Sequence, residues 1–202
     1  IETAIYINGK KVGEHTGGYT ACTLDITPFC SLNTPNSLAV CVDNSRQDIP
    51  PISGDFTFFG GIYRDVWLTA VSKQHFHLTN YGSEGIFIST PKVSEEKGTI
   101  LIRGDIKNDA TQKALLELEH IIYHPNGSIA QSLKQSIQIK AGEQYSFRSE
   151  TSPILSPQLW TPETPHLYRV ESILRDKKTK TVLDQSNHYL SLIHISEPTR
   201  RS

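Results

Sequence analysis

The chain has 202 residues, 37% of them hydrophobic, and 20 basic residues against 21 acidic ones, a net charge of −1. That length is enough to bury one or two cores. The even balance, with no block rich in Lys or Arg, argues against nucleic acid or any other polyanion as a partner. No run approaches the roughly 18 apolar residues of a membrane-crossing helix, so no membrane partner is expected either.

Nearly every patterned stretch has period two, and none carries a sustained helical apolar stripe. The first signal is Asn8-Gly9 between the strand-like runs AIYI (4–7) and KV (11–12). Asn-Gly is the strongest short hairpin signal, because a type I′ turn needs positive φ at both central positions. Further strands are expected at 19–26, 37–42 and 63–71, the last with mixed residues on both faces, as in a strand covered on both sides. After Val71 a second series follows at 85–89, 99–106, 115–123, 129–139, 144–148 and 167–174. Polar turns separate these strands, Pro125-Asn126-Gly127 among them, at spacings suited to a sandwich. A seven-strand immunoglobulin-like sandwich takes roughly 100 residues, and 72–189 fits. The expected class is all-β, in two domains that meet near Val71-Ser72.

The ends read differently. The chain starts at Ile1 and contains no Met, so it reads as an internal piece of something longer. The lack of a targeting segment then leaves location open, periplasmic and secreted included. The tail LSLIHISEPTR (190–200) resembles the direct translation of a transposase adapter used in DNA sequencing libraries. On that reading residues 190–202 are read-through that packs against nothing.

Cys22, Cys30 and Cys41 are odd in number and spaced unlike zinc or redox motifs. Cys22 and Cys41 fall in apolar strand-like runs and are expected as buried free thiols. His75 and His77 would share a strand face, but two ligands do not make a metal site, and no metal or cofactor is expected. Glu117 and Glu119 alternate on one strand and would share a face as a solvated pair. His15 in EHTGGY is expected to make a structural hydrogen bond. Arg64 is expected to brace its domain, paired with a carboxylate, and Trp160 in LWTPETP to anchor a core or a junction. Asn126-Gly127-Ser128 matches a glycosylation sequon but is better read as a hairpin turn.

Three further stretches carry a family likeness. VGEHTGGYTACTLDITPF (12–29), NSLAVCVDNS (36–45) and DFTFFGGIYRDVWL (55–68), in that order after the NG hairpin, resemble the sugar-binding domain of glycoside hydrolase family 2. SPQLWTPETPHLY (156–168) resembles the closing strand region of the family's immunoglobulin-like domain. The two strongest motifs lie about one sandwich apart. The resemblance implies a partial jelly-roll (galactose-binding-like) β-sandwich over 1–71, then an immunoglobulin-like β-sandwich over 72–189. It also implies a missing (β/α)₈ barrel that carries the two catalytic glutamates, and it leaves a homo-oligomeric parent open. The parent would hydrolyse terminal β-linked sugars, in the manner of a β-galactosidase, with a carbohydrate as its substrate. No residue of this chain is expected to be catalytic.

Asp55 is the one substrate-binding candidate. The acid at that place in the family element reaches a sugar hydroxyl, and an ionised carboxylate is a strong acceptor for hydroxyl donors. Phe56, Phe58 and Phe59 would wedge its loop, and Gly60-Gly61 would allow the sharp turn back. The plainer alternative is that Asp55 caps turn amides. Two other functions stay open beside the glycosidase fragment: a free-standing carbohydrate-binding module and a structural immunoglobulin-like protein.

Overall fold

The computed structural model describes residues 1–45, 60–80 and 82–193. Their regular structure is antiparallel strand, apart from a single 3₁₀ turn at Thr27–Phe29. The chain forms two compact units: Ile1–Thr69 with Leu78–Ser83, and Ala70–His77 with the residues from Glu84 onward.

The first unit is built on three strands, β1 (Glu2–Ile7), β2 (Lys10–Thr16) and β3 (Leu38–Asp43), in the order β2-β1-β3. The β1-β2 turn is the expected one, with Asn8 at φ 51° and Gly9 at φ 76°. Asn8 also ties the hairpin to the segment between β2 and β3. Its Nδ2 donates to Phe29 O at 3.1 Å and to Asn36 Oδ1 at 2.8 Å, and its Oδ1 accepts from Ser37 N at 3.0 Å. Asp25 Oδ1 accepts from Thr27 N at 2.9 Å, an Asx turn that starts the 3₁₀ turn at Pro28.

Two strands expected in this unit are not formed among the described residues: 19–26 and 63–71 are irregular. A period-two pattern becomes a strand only when another chain segment takes its N–H and C=O groups. Here Val66, Trp67 and Leu68 are 62%, 82% and 84% exposed. The cysteines follow the same correction. Cys22 and Cys41 are free but exposed, and Cys30 is half-exposed.

The second unit continues with β4 (Gln74–Phe76), β5 (Ile86–Val93), β6 (Lys97–Asn108), β7 (Ala114–Tyr123), β8 (Ile129–Ile139), β9 (Gln144–Glu150), β10 (Ile154–Leu155), β11 (Tyr168–Asp176) and β12 (Val182–Leu190). Strand β6 is the axis of one sheet and pairs with β4, β5, β9 and β10. The other sheet has the order β12-β11-β7-β8.

Alternation builds the core between the sheets. Ile100, Ile102 and Ile106 of β6 face Leu116, Leu118 and Ile122 of β7 and Tyr168, Val170 and Leu174 of β11, all of them buried. Each such side chain contributes about 1.5–3 kcal/mol on leaving water. Two polar residues that enter this core are well paired. Asn108 is wholly buried; its Nδ2 donates to the carbonyls of Gln112, Ile139 and Lys140, and its Oδ1 accepts from Gln74 Nε2 at 2.8 Å. Tyr168 Oη accepts from Gln158 N at 2.9 Å.

The start of the tail also joins the core. Leu190 is the last residue of β12 and pairs with Tyr168. Leu192 is fully buried among the core residues, and its carbonyl accepts from Trp160 N at 2.9 Å. The expectation that packing ends at Tyr189 is therefore corrected: Leu192 fills a place over Gly98 and Pro157 that no earlier residue fills. The residues from 194 on lie outside the described ones.

Candidate functional site

Asp55, Phe56, Phe58 and Phe59 lie outside the described residues, but both ends of their loop are in view. On the entry side, Asp43 Oδ1 accepts from Ser45 N at 2.8 Å and Ser45 Oγ at 2.6 Å, which turns the chain as it leaves β3. On the return side, Gly61 has φ 87°, a conformation that favours glycine. Gly60 packs so closely on Asn44 that an added Cβ would stand 2.8 Å from Asn44 Nδ2. Asn44 and Gly60, on either side of the segment that holds Asp55, are therefore neighbours.

Two motifs far apart in the sequence brace that place. Tyr63 Oη donates to Gly18 O at 2.6 Å, and Arg64 Nη1 donates to Tyr19 O at 3.2 Å. The GGIYR element is thus bonded to the backbone of HTGGY, 45 residues earlier. The Arg64 guanidinium also lies 5.4 Å from the centroid of the Tyr63 ring, a cation–π approach. Within HTGGY, His15 Nε2 and Thr20 Oγ1 are 3.1 Å apart, the structural bond expected for His15. The bond that the described residues show for Arg64 is to a backbone carbonyl, where a carboxylate was expected. Sequence reading had no signal for the Tyr63–Gly18 bond, because nothing in either motif says which carbonyl a tyrosine hydroxyl will meet.

The other candidates sit in the sandwich. Glu119 is not solvated, as expected for it, but 7% exposed. Arg175 Nη1 stands 2.7 Å from its Oε2, with Lys134 Nζ and Ser132 Oγ each 3.1 Å from its Oε1. Burial pushes its carboxyl pKa up, but the bonds from Lys134, Arg175 and Ser132 outweigh that and hold it below the ordinary glutamate range. The Lys180 ammonium, 2.9 Å away, lowers Glu117 in the same way. A glycosidase general acid needs the opposite shift, so these two carboxylates are structural ions.

His75 Nδ1 is 2.9 Å from Ser72 O, and its Nε2 is 3.9 Å from Asp109. Among the described residues no three His, Cys, Asp or Glu side chains stand together as a metal site would require, and no helix is long and apolar enough to cross a membrane. Trp160 is half-buried, bridged to Pro165 and bonded to Leu192. Asn126 Oδ1 accepts from Ser128 N at 3.0 Å and Ser128 Oγ at 2.7 Å, the hairpin turn expected there.

Comparison with known proteins agrees with this architecture. Residues 2–72 match the sequence model of the glycosyl hydrolases family 2 sugar binding domain, and residues 84–190 match that of glycosyl hydrolases family 2 itself. A solved Bacteroides uniformis β-glucuronidase superposes with a TM-score of 0.91 and 69% identity, over 95% of this chain and 23% of that one. The same holds for a structure of B. uniformis β-glucuronidase 2 covalently bound to cyclophellitol-6-carboxylate aziridine. A Bacteroides fragilis β-glucuronidase is 32% identical over 179 residues, which are 86% of this chain and 25% of the relative. A Bacteroides ovatus β-galactosidase is 27% identical over 88% of this chain and 20% of its own length. The chain therefore spans about a fifth to a quarter of the relatives it matches. The first unit is part of a jelly-roll sandwich, the second is an immunoglobulin-like sandwich, and the chain belongs to glycosyl hydrolases family 2.

Proposed function

We propose that this chain is the non-catalytic front part of a larger glycosidase that cleaves terminal β-glucuronides, and that Asp55 binds the substrate. The observation that carries the reading is the 69% identity, at TM-score 0.91, to a β-glucuronidase over 95% of the chain. The β-galactosidase-like parent expected from the motifs has weaker support, since the B. ovatus β-galactosidase is 27% identical. Retaining hydrolysis needs two carboxyl groups about 5 Å apart, one of them able to hold a proton at neutral pH. Glu117 and Glu119 are both paired with cations and shifted the wrong way. In this reading the acid pair belongs to a barrel domain elsewhere in the parent, and the first domain lends Asp55 to its pocket. The boundary between the two domains of this chain falls near residues 71 and 72.

The deciding experiment is to sequence the DNA that flanks this fragment and to assay the full-length product. The expected result is a downstream barrel domain with two catalytic glutamates, and turnover of an aryl β-glucuronide well above that of the matching β-galactoside. A stop codon after the sandwich would favour a free-standing carbohydrate-binding module, and further sandwich repeats would favour a structural protein. The purified 202-residue chain by itself should leave aryl glycosides at their buffer hydrolysis rate. Turnover by a preparation free of contaminating enzymes would place a catalytic centre inside the fragment and overturn this reading.

Asp55 is tested in the full-length enzyme. A glucuronide carries its own carboxylate, so an acid in the pocket must face ring hydroxyls, which donate to it, and stay clear of the sugar's negative charge. Asp55→Asn removes a charge-assisted bond of roughly 1.5–3 kcal/mol. At one decade per about 1.4 kcal/mol, kcat/KM should fall about tenfold to a hundredfold while the melting temperature holds. An unchanged kcat/KM with a lower melting temperature would make Asp55 a turn cap.

A further inference from the structure

One row of polar side chains crosses the otherwise apolar core of the sandwich. His120 on β7, Ser172 on β11 and Ser186 on β12 are cross-strand partners in register, and they are 1%, 0% and 9% exposed. His120 Nδ1 lies 2.8 Å from Ser172 Oγ. Its Nε2 is buried and has no hydrogen-bond partner, and its ring stands 5.4 Å from that of Phe147 on the facing sheet. At the outer end Ser186 Oγ donates to Glu84 Oε2 at 2.7 Å. A carboxylate only accepts, so the hydroxyl proton is committed there, and His188 Nε2, 2.8 Å from the same hydroxyl oxygen, must be a donor.

The surroundings of His120 hold no charge to receive a second proton. Opposite it on β8 is Leu133, and on β9 is Phe147. Strand alternation turns the nearby charged residues to the outer faces: Glu119 on its own strand, Lys134 on β8, Arg103 and Asp105 on β6, Arg148 on β9 and Arg175 on β11. The titratable groups on the inner side are Tyr168, with the His124 ring 5.7 Å from its own, and, along the β12 edge, Asp184, which accepts from Phe76 N at 2.8 Å, and His188, with Glu84 beyond it.

We propose that this row is an acid-sensitive release for strand β12: protonation of His120 detaches β12 from β11 before the sandwich as a whole unfolds. An imidazolium donates from both nitrogens, and the second N–H of His120 has no acceptor in the closed core. The bonded nitrogen of His120, Nδ1, faces Ser172 on β11, and beyond Ser172 the row ends in Ser186 on β12, so loss of β12 uncovers the ring from its Nδ1 side. β12 is an edge strand held by one ladder partner, so its opening breaks a single ladder, and such local openings lie below global unfolding in free energy.

Burial supports the direction, because it holds His120 at about 4 against an ordinary 6.5. The closed state therefore refuses a proton that the opened state accepts. Closure is at full strength above pH 6.5 and weakens as pH falls from there toward about 4. Between about pH 7.5 and about pH 5 the opening constant should rise about thirtyfold.

The test is amide hydrogen exchange on the purified chain at about pH 7.5 and about pH 5, corrected for the intrinsic pH dependence of exchange. Protection in β12 should lie well below that in β7 and β8 at both values, and it should fall about thirtyfold from the higher pH to the lower. His120→Gln should abolish that fall, and His188→Gln should leave it in place. Protection in β12 equal to that in β7 and β8 at both pH values, or lost in β12 after His120→Gln as before, would overturn the proposal. Should His120→Gln fail to fold, the imidazole resonances of the unmutated chain decide. A His120 that titrates near its ordinary 6.5 with β12 still protected would equally overturn it.

Discussion

Replacing Gly104 with alanine should cost the sandwich about 3 kcal/mol, at the upper end of what an overfilled core loses. Gly104 lies in β6 between Ile86 on β5 and Phe147 on β9. A Cβ there would press into the carbonyl oxygen of Gly85 and stand 2.8 Å from Phe147 Cζ. The first obstacle is backbone, which cannot rotate away as a side chain can. The second is a ring already set against His120, so a displaced Phe147 would be driven into a core position that has an unpartnered nitrogen. Against a total stability of roughly 5–15 kcal/mol, the loss should show as a large drop in urea midpoint with the slope unchanged. Gly127→Ala is the control. Gly127 has φ 85° but open space around it, so it should cost only the backbone strain of about 1 kcal/mol. Equal losses at the two positions would mean that the close approach at Gly104 is not what holds that residue small.

Leu192→Ala should be nearly as damaging, at about 2–5 kcal/mol, the usual range for a buried leucine. Leu192 is fully buried beside Gly98 and Pro157, and its carbonyl fixes Trp160. For a chain of this size the loss should lower the melting temperature of the sandwich by at least about 5 °C. Truncation after Tyr189 should lower it at least as much, because the Leu190–Tyr168 pair goes as well. A melt unchanged by that truncation would mean that the tail contributes nothing, as its likeness to an adapter sequence implies. The two readings differ by a measurable temperature, and scanning calorimetry on the two chains decides between them.

The elements that were legible in the sequence share a local cause. Asn8-Gly9 announces its hairpin because both residues tolerate positive φ, and the structure places them at 51° and 76°. LEL in β7 alternates, and Leu116, Leu118, His120 and Ile122 of that strand are buried. Asn126 and Ser128 close their turn within three residues. The two strands missing from the first unit failed for the opposite reason. TACTLDI and YRDVWLTAV have the composition of strands, but a ladder needs a second segment, and none of the described residues supplies one. Cys22, in the first of these, is exposed where apolar neighbours suggested burial, and Cys41 is exposed although β3 is laddered to β1.

What the sequence determined by itself is the all-β class, the second series of strands, the hairpin turns and the family, because each is written in short-range pattern or in a motif of fixed order. The tertiary structure alone decided the rest. It bonded Tyr63 to Gly18 across 45 residues, turned Glu119 from a surface acid into a buried ion beside Arg175, set His120 against Ser172 in the core and seated Leu192 there as well. The places of Glu119 and His120 depend on strand register and on which sheet faces which, and the other two on long-range contacts between irregular segments. A residue's neighbours across a sandwich are set by long-range pairing, and one step of register would turn Glu119 and His120 to the opposite face.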